Sequence, residues 1–282
     1  MVSRSAGAST LVLLGTGTPN AEARRSGPAL ALLVGEMPYL FDFGPGVVRQ
    51  AAAARDAGID ALDPPNLRLA FLTHLHSDHT AGYPDLILTP WTLGREESLT
   101  AYGPRGLRAM TERILDAYRE DIRERLEGPE PANETGHRVI AHEIEPGVVY
   151  EDGRVSIEAF DVNHGSWPAF GYRINAPDRV IVLSGDTAPF PGWEDAYAGC
   201  DVLIHEVRSA AGFNGLPAAW RVYHEAMHTS SIELARIASA VRPKRLVLYH
   251  ALLHGVSEAD LLTEVRNGYD GDVVLGRDLD VF

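Results

Sequence analysis

The chain of 282 residues contains a single cysteine, Cys200. One thiol forms neither an intramolecular disulfide nor a thiolate zinc cluster, so nothing calls for an oxidising compartment and a cytoplasmic location is expected. Basic residues are also scarce: 25 Lys and Arg stand against 39 Asp and Glu, a formal net charge of −14. Such a surface repels phosphate backbones as a whole, which speaks against a protein that grips nucleic acid through a broad basic face. No apolar run approaches the ~20 residues of a membrane span, and residues 1–8 lack the charged-then-apolar order of a secretory leader, so no membrane partner is expected. What the chain does have is length and apolar content, 45% hydrophobic residues, enough to bury a full core without covalent staples.

Apolar runs and turn residues alternate along the chain. Residues 10–14, 29–34 and 39–43 read as strands, the last two joined by the hairpin turn Gly35-Glu36-Met37-Pro38. An alanine-rich helix over 47–57, a strand over 67–73, a short strand over 99–102 and one charged helix over about 105–127 follow. The acidic, proline-containing stretch 128–136 reads as a flexible loop suited to act as a lid. The second half is strand-rich, with runs at 148–150, 155–162, 170–174, 180–184, 202–206, 246–249 and 273–275, and helices expected over about 230–241 and 257–267. This order predicts a layered α/β architecture, two sheets inside and helices outside.

The chemistry gathers at Thr73-His74-Leu75-His76-Ser77-Asp78-His79, directly after an apolar strand. Imidazoles two apart on an extended segment point to the same side, so His74 and His76 can share one metal ion, while the following turn carries Asp78 and His79 toward a second. Three imidazoles and a carboxylate in six residues suit zinc or a similar transition metal rather than calcium or magnesium. Two ions need further ligands, and three candidates end apolar runs or adjoin glycine downstream: His164, Asp186 and His250.

With these residues the chain resembles the metallo-β-lactamase-fold hydrolases, and within them the ribonuclease Z-like branch. The resemblance spans nearly the whole chain: Gly15-Thr16-Gly17-Thr18-Pro19, Thr73 to His79, His164 with Phe170-Gly171-Tyr172-Arg173-Ile174, Ser184-Gly185-Asp186-Thr187, Asp201 to Glu206, His228-Thr229-Ser230, and Leu246 to His250. It implies a four-layer αββα sandwich, one domain over 1–282, with two zinc ions per chain and manganese or iron as substitutes. His74, His76 and His164 would hold one ion, Asp78, His79 and His250 the other, with Asp186 bridging. A hydroxide shared by the ions would be the nucleophile. Asp78 would also orient it, His228 would neutralise charge or protonate the leaving oxygen, and Glu206, next to His205, would orient His228. His224, one helical turn from His228, competes for that role, and a homodimer is the implied assembly.

One departure bears on substrate. Members of that branch that process transfer RNA carry a long basic arm, which in some is inserted between the third histidine and the aspartate motif; here His164 and Asp186 stand 22 positions apart (186 − 164). With the net charge, this favours a small phosphodiester, ester or lactone substrate; the alternative is transfer-RNA 3′ processing, and promiscuous β-lactam hydrolysis comes next. Tyr83, Pro84, Pro90, Trp91 and Thr92 are expected to line a pocket wall, with Trp167, Phe170, Phe190, Trp193, Phe213 and Trp220 as further candidates.

Overall fold

The computed structural model describes residues 7–282; of the segment searched for a leader, residues 1–6 lie outside the described residues. Two compact units emerge, one running to Ile144 and taking in the tail Arg277–Phe282, the other Glu145–Gly276.

The first unit is built on a six-stranded sheet in chain order β1 to β6. Strands β1 (Ser9–Gly15), β2 (Ala29–Val34) and β3 (Met37–Phe41) form an antiparallel meander, while β4 (Leu69–Phe71), β5 (Leu99–Gly103) and β6 (Val139–Glu143) continue it in parallel from β3. The β2–β3 hairpin turns at Gly35, whose φ of 61° is the left-handed value that glycine adopts without steric cost. Helix α1 (Val47–Asp56) buries Val47, Val48, Ala51 and Ala54, the helical spacing expected of that alanine-rich stretch. Two short helices, α2 (Ser77–Thr80) and α3 (Tyr83–Thr92), follow β4. The tail returns to β1: Leu11 and Leu13 donate to Phe282 and Asp280, and Leu279 and Phe282 donate back.

Three features differ from the sequence expectation. The stretch 105–127 holds two helices, α4 (Leu107–Ala117) and α5 (Arg119–Glu127), parted at Tyr118; Glu120 and Asp121 then open α5 where its dipole favours negative charge. Helix α3 was not expected because of its prolines, yet Pro84 sits in its first turn, where no intrahelical donor is lost. Strand β6 was missed because it lies at the sheet edge, with no fully buried residue to produce an apolar run.

The second unit carries a seven-stranded sheet in the order β13-β12-β11-β10-β9-β8-β7. Strands β7 (Gly147–Glu151), β8 (Ser156–Asp161), β9 (Phe170–Asn175) and β10 (Val180–Leu183) are antiparallel neighbours. Strands β11 (Val202–Arg208), β12 (Arg245–Leu252) and β13 (Val273–Leu275) extend the sheet in parallel. The connections carry α6 (Trp193–Tyr197), α7 (Ala210–Asn214), α8 (Ala218–Met227), α9 (Ser231–Val241) and α10 (Glu258–Arg266). Helices α9 and α10 start at full capping boxes, Ser230 with Glu233 and Ser257 with Asp260, which is why both expected starts fall within a residue. Leu203, Val207, Leu234, Ala238, Leu246 and Leu261 join one buried core cluster. No helix among the described residues is long and apolar enough to cross a membrane.

Candidate metal centre

In the first unit the histidine segment leaves the end of β4 and enters α2. Asp42, at the end of β3, is fully buried and adopts a left-handed φ of 58°. Its Oδ1 accepts from the Thr73 amide at 2.8 Å and the Thr73 hydroxyl at 2.9 Å, and its Oδ2 accepts from His79 Nδ1 at 2.8 Å. With its proton given to Asp42, the Thr73 hydroxyl accepts from His74 Nδ1 at 3.0 Å. The protons of His74 and His79 are thus committed on Nδ1, and each Nε2 carries a lone pair. His74 Nε2 lies 3.0 Å from His76 Nδ1, and His79 Nε2 lies 3.6 Å from Asp78 Oδ2. Buried lone pairs and a carboxylate facing one another form a donor set that a divalent cation satisfies, so these residues fit a metal.

Close backbone approach holds this turn in place. Phe43 N donates to His79 O and Gly82 N to Phe43 O, each at 3.0 Å. A Cβ on Gly44 would sit 2.4 Å from Asp78 O, and one on Gly82 2.2 Å from Gly44 O. Glycine is required at both positions for the ligand turn to lie against 42–44.

In the second unit His164 and Asp186 stand just beyond β8 and β10, while His250 lies inside β12 at a register break, with a left-handed φ of 45°. His164 gives its Nδ1 proton to Met227 O at 2.9 Å and turns Nε2 toward Asp186 Oδ2, 3.9 Å away. His250 Nε2 reaches the same oxygen at 3.4 Å. Glu206, fully buried on β11, accepts from the Thr229 amide at 2.6 Å and faces His228 Nδ1 at 3.3 Å through Oε2. Burial, and then the charge of Asp186, push the Glu206 carboxyl well above the usual range. His164, Asp186 and His228 offer ligand atoms within 4.8 Å of one another, as do Glu206, His228 and His250. His228, assigned from sequence to serve the leaving oxygen, and Glu206, assigned to orient it, therefore also stand at ligating range.

Other expectations change. Tyr83 and Trp91 belong to the buried core of the first unit: Tyr83 stacks on Phe43 and bonds Thr111, and Trp91 donates to Asn133 O. They are not a pocket wall, because the helix that carries them turns its apolar side inward. The 128–136 stretch is tied down rather than poised as a lid, since Arg95 donates to Gly136 O and Asn133 donates back to Arg95 O. His205 points away from Glu206's carboxyl, bonding Glu206 O and Tyr197 OH, and burial pulls it down to about 4, a neutral packing residue. His224 is half-buried among rings, and Cys200 lies in the core with its thiol pushed up to about 11 by burial. Sequence reasoning missed Asp42; the only signal was an acid at the point where an apolar strand breaks into Gly44-Pro45-Gly46.

Buried histidine and carboxylate clusters on two α/β units define a metal-dependent hydrolase. The chain belongs to the β-lactamase superfamily: residues 38–251 match the model of the Beta-lactamase superfamily domain. A protein named ribonuclease Z from Mycolicibacterium gilvum is 32% identical over 276 residues, 95% of this chain and 94% of its own. Among solved structures, human tRNase Z, short form, aligns over 97% of this chain and 98% of its own with TM-score 0.73 at 23% identity. A metallo-beta-lactamase fold protein from Bacillus subtilis aligns over the same shares with TM-score 0.72 at 20% identity. These likenesses show the metallo-β-lactamase fold, the mixed α/β class expected from sequence.

Proposed function

We propose that the chain is a ribonuclease Z-like endonuclease that hydrolyses a phosphodiester bond at the 3′ side of a transfer-RNA precursor. The observation that carries this reading is the whole-length match to a relative of that name. The alignment spans 276 positions that cover 95% of this chain and 94% of the relative, so neither carries a long insertion against the other. That relative has no more room for a long arm than this chain has. The short interval between His164 and Asp186 therefore does not separate them, and the expectation of a small ester substrate loses its main support.

In this reading His74, His76, Asp78 and His79 of the first unit, and His164, Asp186 and His250 of the second, would hold the divalent ions. Imidazole and carboxylate donors suit zinc, with manganese or iron as substitutes. Such ions, when bound, supply a nucleophile at neutral pH and neutralise charge on the phosphate. Asp78 orients the attacking water by accepting its hydrogen bond. Glu206, anchored by the Thr229 amide, fixes the His228 ring, and His228 serves the leaving oxygen as general acid. The reading extends to a homodimer, which sedimentation would test.

The deciding experiment offers the zinc-loaded protein a transfer-RNA precursor transcript, bis(p-nitrophenyl) phosphate and a simple lactone, each with and without chelator. Cleavage of the transcript at one position, abolished by chelator and restored by zinc, is expected. Hydrolysis of the small substrates with the transcript left intact would overturn it.

A further inference from the structure

The proposed chemistry leaves one cluster of rings unused, on α8 in the second unit. Trp220 and Tyr223 meet edge to face with centroids 5.7 Å apart, and both are exposed, at 55% and 40%. Trp220 stacks on His224 at 5.7 Å and 27°. His224 in turn meets His254 at 4.5 Å and His228 at 5.5 Å, and His228 stacks on His250 at 5.9 Å and 16°. The helical positions 220, 223, 224 and 227 fall on one face, so the helix lays these rings in a stripe that leads to His228.

Packing alone does not account for the stripe. A helix built only to cover a core buries its largest rings, whereas here the indole at the outer end is the most exposed ring of the series. Midway, His224 Nδ1 and His254 Nε2 are shielded from water and have no hydrogen-bond partner among the described residues. Buried polar atoms of this kind are not what a helix packed only for its core provides. Arg221 adds a positive charge beside Trp220, its guanidinium donating to Asn214 O and Leu216 O.

We infer that this stripe is a stacking platform for unpaired nucleobases of the RNA substrate next to the scissile phosphate. The inference rests on the proposed endonuclease reading and deepens it. Every base has a π-face, so stacking on Trp220 and Tyr223 tolerates any sequence. The platform also answers a difficulty raised by the charge balance. A chain with net charge −14 gains little from counterion release, and stacking supplies affinity that does not depend on neutralising phosphates.

The test uses the zinc-loaded full chain and precursor transcripts whose unpaired nucleotides beside the cleavage site are intact or abasic. Trp220→Ala is expected to raise KM on the intact transcript about tenfold with kcat within about twofold, and Trp220→Phe to recover most of the loss. Abasic sites are expected to raise the wild-type KM by a similar factor and to leave Trp220→Ala no further to fall. Equal KM for wild type and Trp220→Ala, or losses that simply multiply, would overturn the platform while leaving the endonuclease reading intact. Failure of the wild type to cut any transcript would overturn that reading instead. Fluorescence titration with oligoadenylate then decides the platform separately: tryptophan quenching that Trp220→Phe abolishes supports it, and absence of quenching sinks it.

Discussion

Asp42 Oδ2 accepts the Nδ1 proton of His79 at 2.8 Å, 37 positions along the chain, while Oδ1 of the same carboxylate holds Thr73 and through it His74. One buried carboxylate outside the set of metal-binding candidates thus sets the tautomer of two of them. Partners of this kind typically contribute ~10–100-fold in metal affinity. Asp42→Asn keeps a residue that tolerates the left-handed backbone, so the substitution tests the hydrogen bonds and not the strain. Zinc affinity by chelator competition is expected to fall by about that factor, with activity restored at high zinc. Unchanged affinity would show that His79 is oriented without Asp42.

The contrast between Asp42 and the seven candidate ligands shows what the sequence makes legible. His74, His76, Asp78 and His79 announce themselves because their chemistry and spacing are both local. His164, Asp186 and His250 are legible as acids or imidazoles that end apolar runs or adjoin glycine. Asp42 acts across 31 and 37 positions through hydrogen bonds, which no local pattern encodes. The same divide holds for the fold. Buried central strands such as β10 and β11 read as apolar runs, whereas edge strand β6 and proline-bearing α3 depend on partners brought by the tertiary structure.

Arg95 is a second such long-range device. It is 1% exposed, with Leu67, Leu86, Ile87 and Gly136 carbonyls as acceptors, and burial pulls its guanidinium down to about 10. Arg95→Met removes the donors to those four carbonyls, a loss of about 3 kcal/mol. Urea unfolding is expected to show that loss, together with faster proteolysis within 128–136. A mobile lid would instead be cleaved equally in both proteins.

Asp278 bears on the loop beside the ligand turn. From the tail it accepts from the Thr16 amide at 2.9 Å, the Thr16 hydroxyl at 2.8 Å, the Ser26 amide at 2.6 Å and Gln50 Nε2 at 2.8 Å. The loop it closes lines a cavity of about 550 Å³ that Ser77 and Asp78 also border. Asp278→Ala is expected to cost about 2 kcal/mol and to strip hydrogen-exchange protection from residues 16–27. Protection in that loop equal to the wild type would mean that the β1–β2 strands hold it unaided.

Tyr83 gives a pH test of whether α3 is core or pocket wall. Burial pushes its phenol up to about 12, and the hydroxyl donates to Thr111, which itself donates to Leu107 O. The unfolded phenol ionises near the ordinary value of 10.0, so the neutral ring stabilises the fold fully below that pH. The contribution is lost as pH rises from about 10 toward 12, at about 1.4 kcal/mol per unit in the steepest part of the window. Tyr83→Phe sacrifices the Thr111 bond, about 1 kcal/mol at neutral pH, but removes this alkaline sensitivity. Its urea midpoint is therefore expected to fall less steeply than the wild type's above pH 10, and tyrosinate absorbance of the folded wild type to show one late-ionising phenol that the variant lacks. Parallel alkaline limbs would return Tyr83 to a solvent-lined wall.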